Sequence, residues 1–147
     1  MAGAVKPVPD GYHTITPYFT VANAAAFLDF LTKMFGAEET ERMVGADGTI
    51  RHAEMRIGDS AVMVGQAPEQ SRIRTNALYV YVPDVDETYQ RGLEAGSRSI
   101  QEPTTHFYGD RSGGIEDPHG NTWWIATHLE DVPVDEMKRR AASQRQP

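Results

Sequence analysis

The chain has 147 residues, no cysteine, and 14 basic against 21 acidic side chains for a formal charge of −7. That length suits one soluble domain able to bury a sizeable core without a staple. The negative charge repels a nucleic-acid backbone and an anionic membrane face, so neither is expected as a partner, and the lack of cysteine excludes disulfides, thiolate metal sites and cysteine nucleophiles.

Residues 1–11 carry Ala, Gly, Pro and a lone Lys6 with no apolar stretch, which reads as a flexible lead-in and not as a secretory signal or membrane anchor. The 39% hydrophobic content is broken up by charge throughout, so nothing approaches a spanning helix and a cytoplasmic globular protein is the expectation. Thr14 to Val21 alternates: Thr14, Thr16, Tyr18 and Thr20 share one face of a strand, and Ile15, Phe19 and Val21 the other. Pro17 marks an edge position or a bulge. Asn23 can cap a helix whose Ala26, Phe27, Phe30, Leu31 and Met34 fall at helical spacing before Gly36 stops it. Three short strands follow, at Glu41 to Val44, Ile50 to Ile57 and Ala61 to Val64, separated by turns at Ala46 to Gly48 and at Gly58 and Asp59.

A polar connector from Gln66 to Asn76 leads to a second alternating strand, with Leu78, Val80 and Val82 set against Tyr79 and Tyr81. Asp84 or Asp86 opens a second helix that runs to Gly96. Later strands are expected at Thr105 to Tyr108, Ser112 to Glu116 and Thr122 to Thr127, the last two joined by the turn Asp117 to Asn121. Pro133 to Ala142 reads as a terminal helix, acidic first and basic last, and 143–147 as a polar end. Val82 stands 61 positions after Val21, Asp84 61 after Asn23, and Gly120 62 after Gly58. Three aligned features in order indicate a duplication.

The fold class is therefore α+β: two βαβββ modules, about 12–66 and about 77–131, within a single domain 12–131 that is followed by a C-terminal helix and tail at 132–147. In this pattern the chain resembles the vicinal oxygen chelate superfamily, which includes glyoxalases, extradiol dioxygenases and fosfomycin- and bleomycin-resistance proteins. Within it the segments TPYFTV (16–21), FGAEE (35–39), HAEMRIGDS (52–60), YGDR (108–111), EDPHGNTWWIATH (116–128) and EDV (130–132) look closest to the PhnB-like branch. The resemblance implies paired curved sheets around a cavity, a small-molecule ligand and a homodimer. It also implies metal ligands on the first and last strands, where His, Gln or Glu would suit a divalent ion with open positions. Strand register puts Thr16, Val62, Ala77 and Trp124 at those places, none a usual ligand, so no metal site and no cofactor is expected, with a divalent metal left open.

His52 and Glu54, two apart on one strand, share a face and are the candidate acid/base pair, set against a plain surface or strand-pairing contact. Arg111 could grip an anionic ligand bidentately while Asp110 fixes its guanidinium, or could tie to Glu116 or Asp117 and hold strands in register. Thr16, Tyr18, Tyr79, Tyr81 and Trp124 share the faces turned to the expected cavity, with Trp123 and Ile125 facing the helices. His13 and His119 are expected in solvent, and His106 and His128 at strand ends. The functional expectation is a small-molecule-binding protein, possible as a lyase- or isomerase-like enzyme without the usual metal; the alternative is a non-catalytic drug-sequestering protein.

Overall fold

The structure is a computed structural model and describes residues 3–144. The outer ends of the lead-in and of the polar tail, residues 1–2 and 145–147, lie outside the described residues. Two compact units divide the chain after Asn76, and each is a βαβββ module.

In the first module, β1 (Tyr18–Val21), α1 (Ala24–Phe35), β2 (Glu38–Val44), β3 (Ile50–Ile57) and β4 (Ser60–Gln66) form a sheet in the order β1-β4-β3-β2. β1 runs parallel to β4, and the other pairings are antiparallel. Strand β1 begins later than the alternation suggested, and Ile15, expected to pack inward, is 85% exposed. Pro17 precedes an edge strand, where its missing N–H costs nothing, and its carbonyl still accepts Met63 N–H at 2.9 Å. The Asn23 side chain accepts from Ala26 N–H, and Gly36 closes α1 at φ 65°. Helix α1 presents Phe27, Leu31 and Met34 to one face of the sheet, where Phe19, Val21, Ala53, Met55, Val62 and Val64 are buried with them. Each large apolar side chain removed from water in this way stabilises by about 1.5–3 kcal/mol.

In the second module, β5 (Ala77–Tyr81), α2 (Val85–Glu94), β6 (Arg98–Thr105), β7 (Asp110–Glu116) and β8 (Thr122–His128) repeat the pattern in the order β5-β8-β7-β6. Asp84 is the N-cap and accepts from Glu87 N–H at 3.1 Å. Trp123 and Ile125 are fully buried on the α2 side of β8, as the alternation required. The Asp117 carboxylate organises the β7–β8 turn. It is buried and accepts from His119 N–H at 2.7 Å, Asn121 N–H at 3.0 Å and the Trp123 indole at 2.8 Å. His119 is consequently half-buried, contrary to the solvent exposure expected of a turn residue, and burial pushes its pKa down.

Besides the shorter β1, β2 begins at Glu38, ahead of the expected Glu41, and two later elements differ further from the sequence reading. The second strand of this module is Arg98–Thr105, not Thr105 to Tyr108, and is bulged around Pro103, while residues 106–109 form the turn after it. Polar residues and an internal proline hid it from a pattern built on alternation. The terminal helix α3 (Val134–Gln144) extends past its basic residues, so no basic residue stands in its last turn. Lys138 to Arg140 are not dipole partners. Arg140 instead pairs with Glu136 and Glu130 and donates to the Phe107 carbonyl. Among the described residues no helix is long and apolar enough to cross a membrane.

Replacing Asn23 by alanine leaves the first-turn N–H of α1 without its acceptor and is expected to cost about 1 kcal/mol in urea unfolding.

Candidate functional site

With one face of each sheet sealed by a helix, the period of two in the strands sends alternate residues to the opposite, open face. In the second module the aligned cross-strand row on that face is Tyr79, Trp124, Gly114 and Gln101, followed by Tyr81, Ala126, Ser112 and Thr104. Gly114 has no side chain, and the Trp124 ring occupies the space beside it; a Cβ there would meet the indole at 2.5 Å. Tyr79 and Tyr81 stand side by side with ring centroids 5.3 Å apart, and are 46% and 63% exposed.

The hub of this face is Asp110, 5% exposed. It accepts from the Tyr79 hydroxyl at 2.9 Å, the Tyr81 hydroxyl at 3.1 Å and His128 Nδ1 at 2.7 Å. His128 Nε2 lies 2.7 Å from the Asp131 carboxylate, so both ring nitrogens are committed. Burial pushes Asp110 up, but the hydrogen bonds from His128, Tyr79 and Tyr81 outweigh it and hold the carboxyl below its ordinary value. Burial and hydrogen bonding to this carboxylate raise both tyrosines, which stay neutral donors. Hydrogen bonds to Asp110 and Asp131 raise His128. Asp110 begins β7 directly after Gly109, whose φ of 102° and contact with the Glu130 carbonyl leave no room for a side chain. Beside the hub, the His106 and Tyr108 rings stack at 5.0 Å.

Arg111 does not take the place expected for it. Its guanidinium makes a bidentate pair with Asp86 on α2, at 2.8 Å from each oxygen, and neither Asp110 nor Glu116 nor Asp117 is its partner. Asp110 and Arg111 are adjacent on a strand and point to opposite faces, so they cannot share one site. Glu116 pairs with Arg98.

In the first module the open-face row is Tyr18, Met63, Glu54 and Glu41. Val62, placed by the sequence at the position equivalent to Trp124, belongs to the buried row opposite Met55. The pairings Tyr18 with Met63 and Tyr79 with Trp124 make Met63 the true counterpart. Glu54 is 9% exposed, and His52 Nε2 lies 3.5 Å from its carboxylate. Tyr18 reaches across toward His52, with ring centroids 6.0 Å apart. Two residues that the sequence reading did not assign to a site join this group. Tyr12, just after the lead-in, hydrogen-bonds Glu54, and Glu41 from β2 stands directly opposite it. A pocket of about 370 Å³ lies here, walled by Pro7, Val8, Pro9, Tyr12, Thr16 and Met63, with Glu41 and Glu54 also in its lining.

A duplicated βαβββ module with one open sheet face per half defines the class of fold before any relative is considered. The solved structure of TioX from Micromonospora sp. ML1 has it, with a TM-score of 0.67 and 28% identity over 80% of this chain and 99% of TioX. PhnB protein from Bacillus cereus shares the fold at TM-score 0.66 and 16% identity, over 78% and 99% of the two chains. Uncharacterized protein Rv0887c of Mycobacterium tuberculosis is 32% identical over 141 residues, 88% of this chain and 83% of that protein. The model of the Glyoxalase/Bleomycin resistance protein/Dioxygenase superfamily matches residues 12–125, and the chain belongs to that superfamily.

Metal-dependent relatives imply a divalent ion on the first and last strands. The side chains at those positions here are Thr16, which the structure places just ahead of β1, Met63, Ala77 and Trp124, and among the described residues no three His, Cys, Asp or Glu converge as a metal-binding group. This donor set does not fit the ion.

Two outcomes are expected at the Asp110 hub. His128, raised in the folded protein, contributes its full stability below the ordinary histidine value of 6.5 and loses it as pH rises through the elevated pKa. Asp110, depressed, contributes above 3.8 and loses its contribution as pH falls through its lowered pKa. An NMR titration should therefore find His128 above 6.5 in the native protein and lower in Asp110→Asn. Gly109→Ala should cost about 1–3 kcal/mol in urea unfolding, because a left-handed backbone and the Glu130 carbonyl both oppose a Cβ.

Proposed function

We propose that this superfamily member is a PhnB-like small-molecule-binding protein that holds a planar or cationic ligand on the aromatic face of its second module, without chemically changing it. The observation that supports this most is the joint hydrogen bonding of Tyr79 and Tyr81 to buried Asp110. Their hydroxyls are spent on the carboxylate, so the rings are held in place and half-exposed, with Trp124 at the cross-strand position next to Tyr79. Rings fixed before binding lose little entropy when a ligand stacks on them. A carboxylate behind them, in a chain of charge −7, favours a cation. We further propose a cytoplasmic homodimer as the working form and assign no metal or cofactor to the site. Arg111, engaged by Asp86, would serve this face by anchoring β7 to α2 and not as a ligand contact.

A catalytic reading, proton transfer next to a carbonyl with Glu54 or His52 as base, is favoured by the position of Glu54 in the first-module pocket. It is the weaker reading on chemical grounds. Hydrogen bonds from Glu41, Tyr12 and His52 hold Glu54 below its usual range, which makes it a poor base at neutral pH.

Titration with an acridinium-type planar cation, followed by tryptophan fluorescence, should give saturable binding with the cation recovered unaltered by mass spectrometry. Tyr81→Ala should weaken it by roughly 3- to 30-fold, the worth of one cation–π or stacking contact, while Tyr81→Phe loses the hydroxyl tie and a smaller part. Turnover of a bound compound that Glu54→Gln abolishes would replace binding with catalysis.

A further inference from the structure

Directly opposed like charges destabilise an antiparallel strand pair, yet β2 and β3 place Glu41 directly opposite Glu54. The arrangement depends on a bulge. A register shift between Glu39 and Glu41 leaves Thr40 as the extra residue, its hydroxyl donating to the Glu54 carbonyl at 3.2 Å, and moves Glu41 onto the open face beside Glu54. Without the bulge, Thr40 would occupy that place and no conflict would arise. Both carboxyls line one pocket, Glu54 buried and Glu41 exposed. Hydrogen bonding to Glu54, and then its charge, raise Glu41 above the ordinary carboxyl value, while Glu54 is held down. A proton taken up by Glu41 relieves the repulsion, and a cation seated between the carboxyls relieves it as well.

The surroundings suit a small cation with an apolar body. The pocket of about 370 Å³ combines this carboxyl pair with Met63, Pro7, Val8 and Pro9, and adds oxygen acceptors at Tyr12 and Thr16. Its titratable neighbours come from three segments: Tyr12 and His13 between the lead-in and β1, His52 and Arg56 on β3, and Glu41 on β2. Arg56 lies against Gly11 and is not part of the pocket wall.

We propose that the first-module pocket is a binding site for an alkylammonium group, held by Glu41 and Glu54. The ammonium donates to both carboxylates, and its alkyl body rests on Met63 and the prolines of the lead-in. This site lies in a different module from the aromatic face and stands or falls independently of it.

The test uses the full chain with n-butylammonium as probe, and n-butanol and butyrate at matched ionic strength as neutral and anionic controls. Amide chemical shifts read the site. Butylammonium should shift Tyr12, Thr16, Glu41, Glu54 and Met63 saturably, and bind roughly tenfold or more tightly than butanol, as a charge-assisted contact requires. Binding should tighten as pH rises through the elevated Glu41 pKa, because the amine stays charged there while the carboxyl gives up its proton. Glu41→Gln should lose most of the binding and at the same time raise the melting temperature at pH 7, since it removes the repulsion. A purely structural Glu41 would do the reverse, with a lower melting temperature and unchanged binding, and that result overturns the proposal. So does equal binding of butanol, or no saturable shift with butylammonium. Glu41 is exposed, so its variant keeps the fold and the measurement remains decisive.

Discussion

A four-stranded sheet with a single helix can bury only one of its faces, and that one-sidedness governs both halves of this protein. The helix takes the apolar row, so every second residue on each strand is committed to a face that no helix covers. What stands there is a small set of aromatic, acidic and hydroxyl side chains, and the chemistry of the molecule is confined to it. In the first module the set ends in two opposed carboxyls; in the second it ends in two tyrosines and a tryptophan. The duplication repeats the scaffold without repeating the chemistry.

The two open faces manage negative charge in different ways. Asp110 is buried and fully supplied with donors, two tyrosine hydroxyls and a histidine, so its ionised form is the stable one. Its role is to fix its neighbours. The Glu41 and Glu54 pair has one donor from Tyr12 and a distant histidine, and its two like charges stand directly opposite each other. A satisfied carboxylate makes a rigid support, and an undersupplied pair makes a receptor. Local conflict of the second kind is retained at functional sites more readily than in scaffolding.

Much of the site could be read from strand arithmetic, and some of it could have been read further. Tyr79 and Tyr81, two apart on a strand, had to share a face. Asp110 and His128 stand six positions beyond Glu116 and Thr122, the inner pair of the hairpin, so the turn at Asp117 to Asn121 already paired them. Taking Asp110 instead as a partner of Arg111 overlooked that neighbours on a strand point apart. Glu41 was out of reach, because a bulge at Thr40 shifts every later residue of β2 by one and polar sequence carries no mark of it.

By itself the sequence determined the elements that rest on local rules: two capped helices with one apolar face each, alternating strands, the glycine stops and the spacing that exposes the duplication. Those signals act within a few residues, through backbone conformation and side-chain period. Only the tertiary structure decided which residue faces which across strands: Met63 in place of Val62, Asp86 as the partner of Arg111, Tyr12 over Glu54, and three donors on one buried aspartate. Such pairings depend on register, bulges and distant segments meeting in space, and a shift of a single residue reverses the face on which each side chain acts.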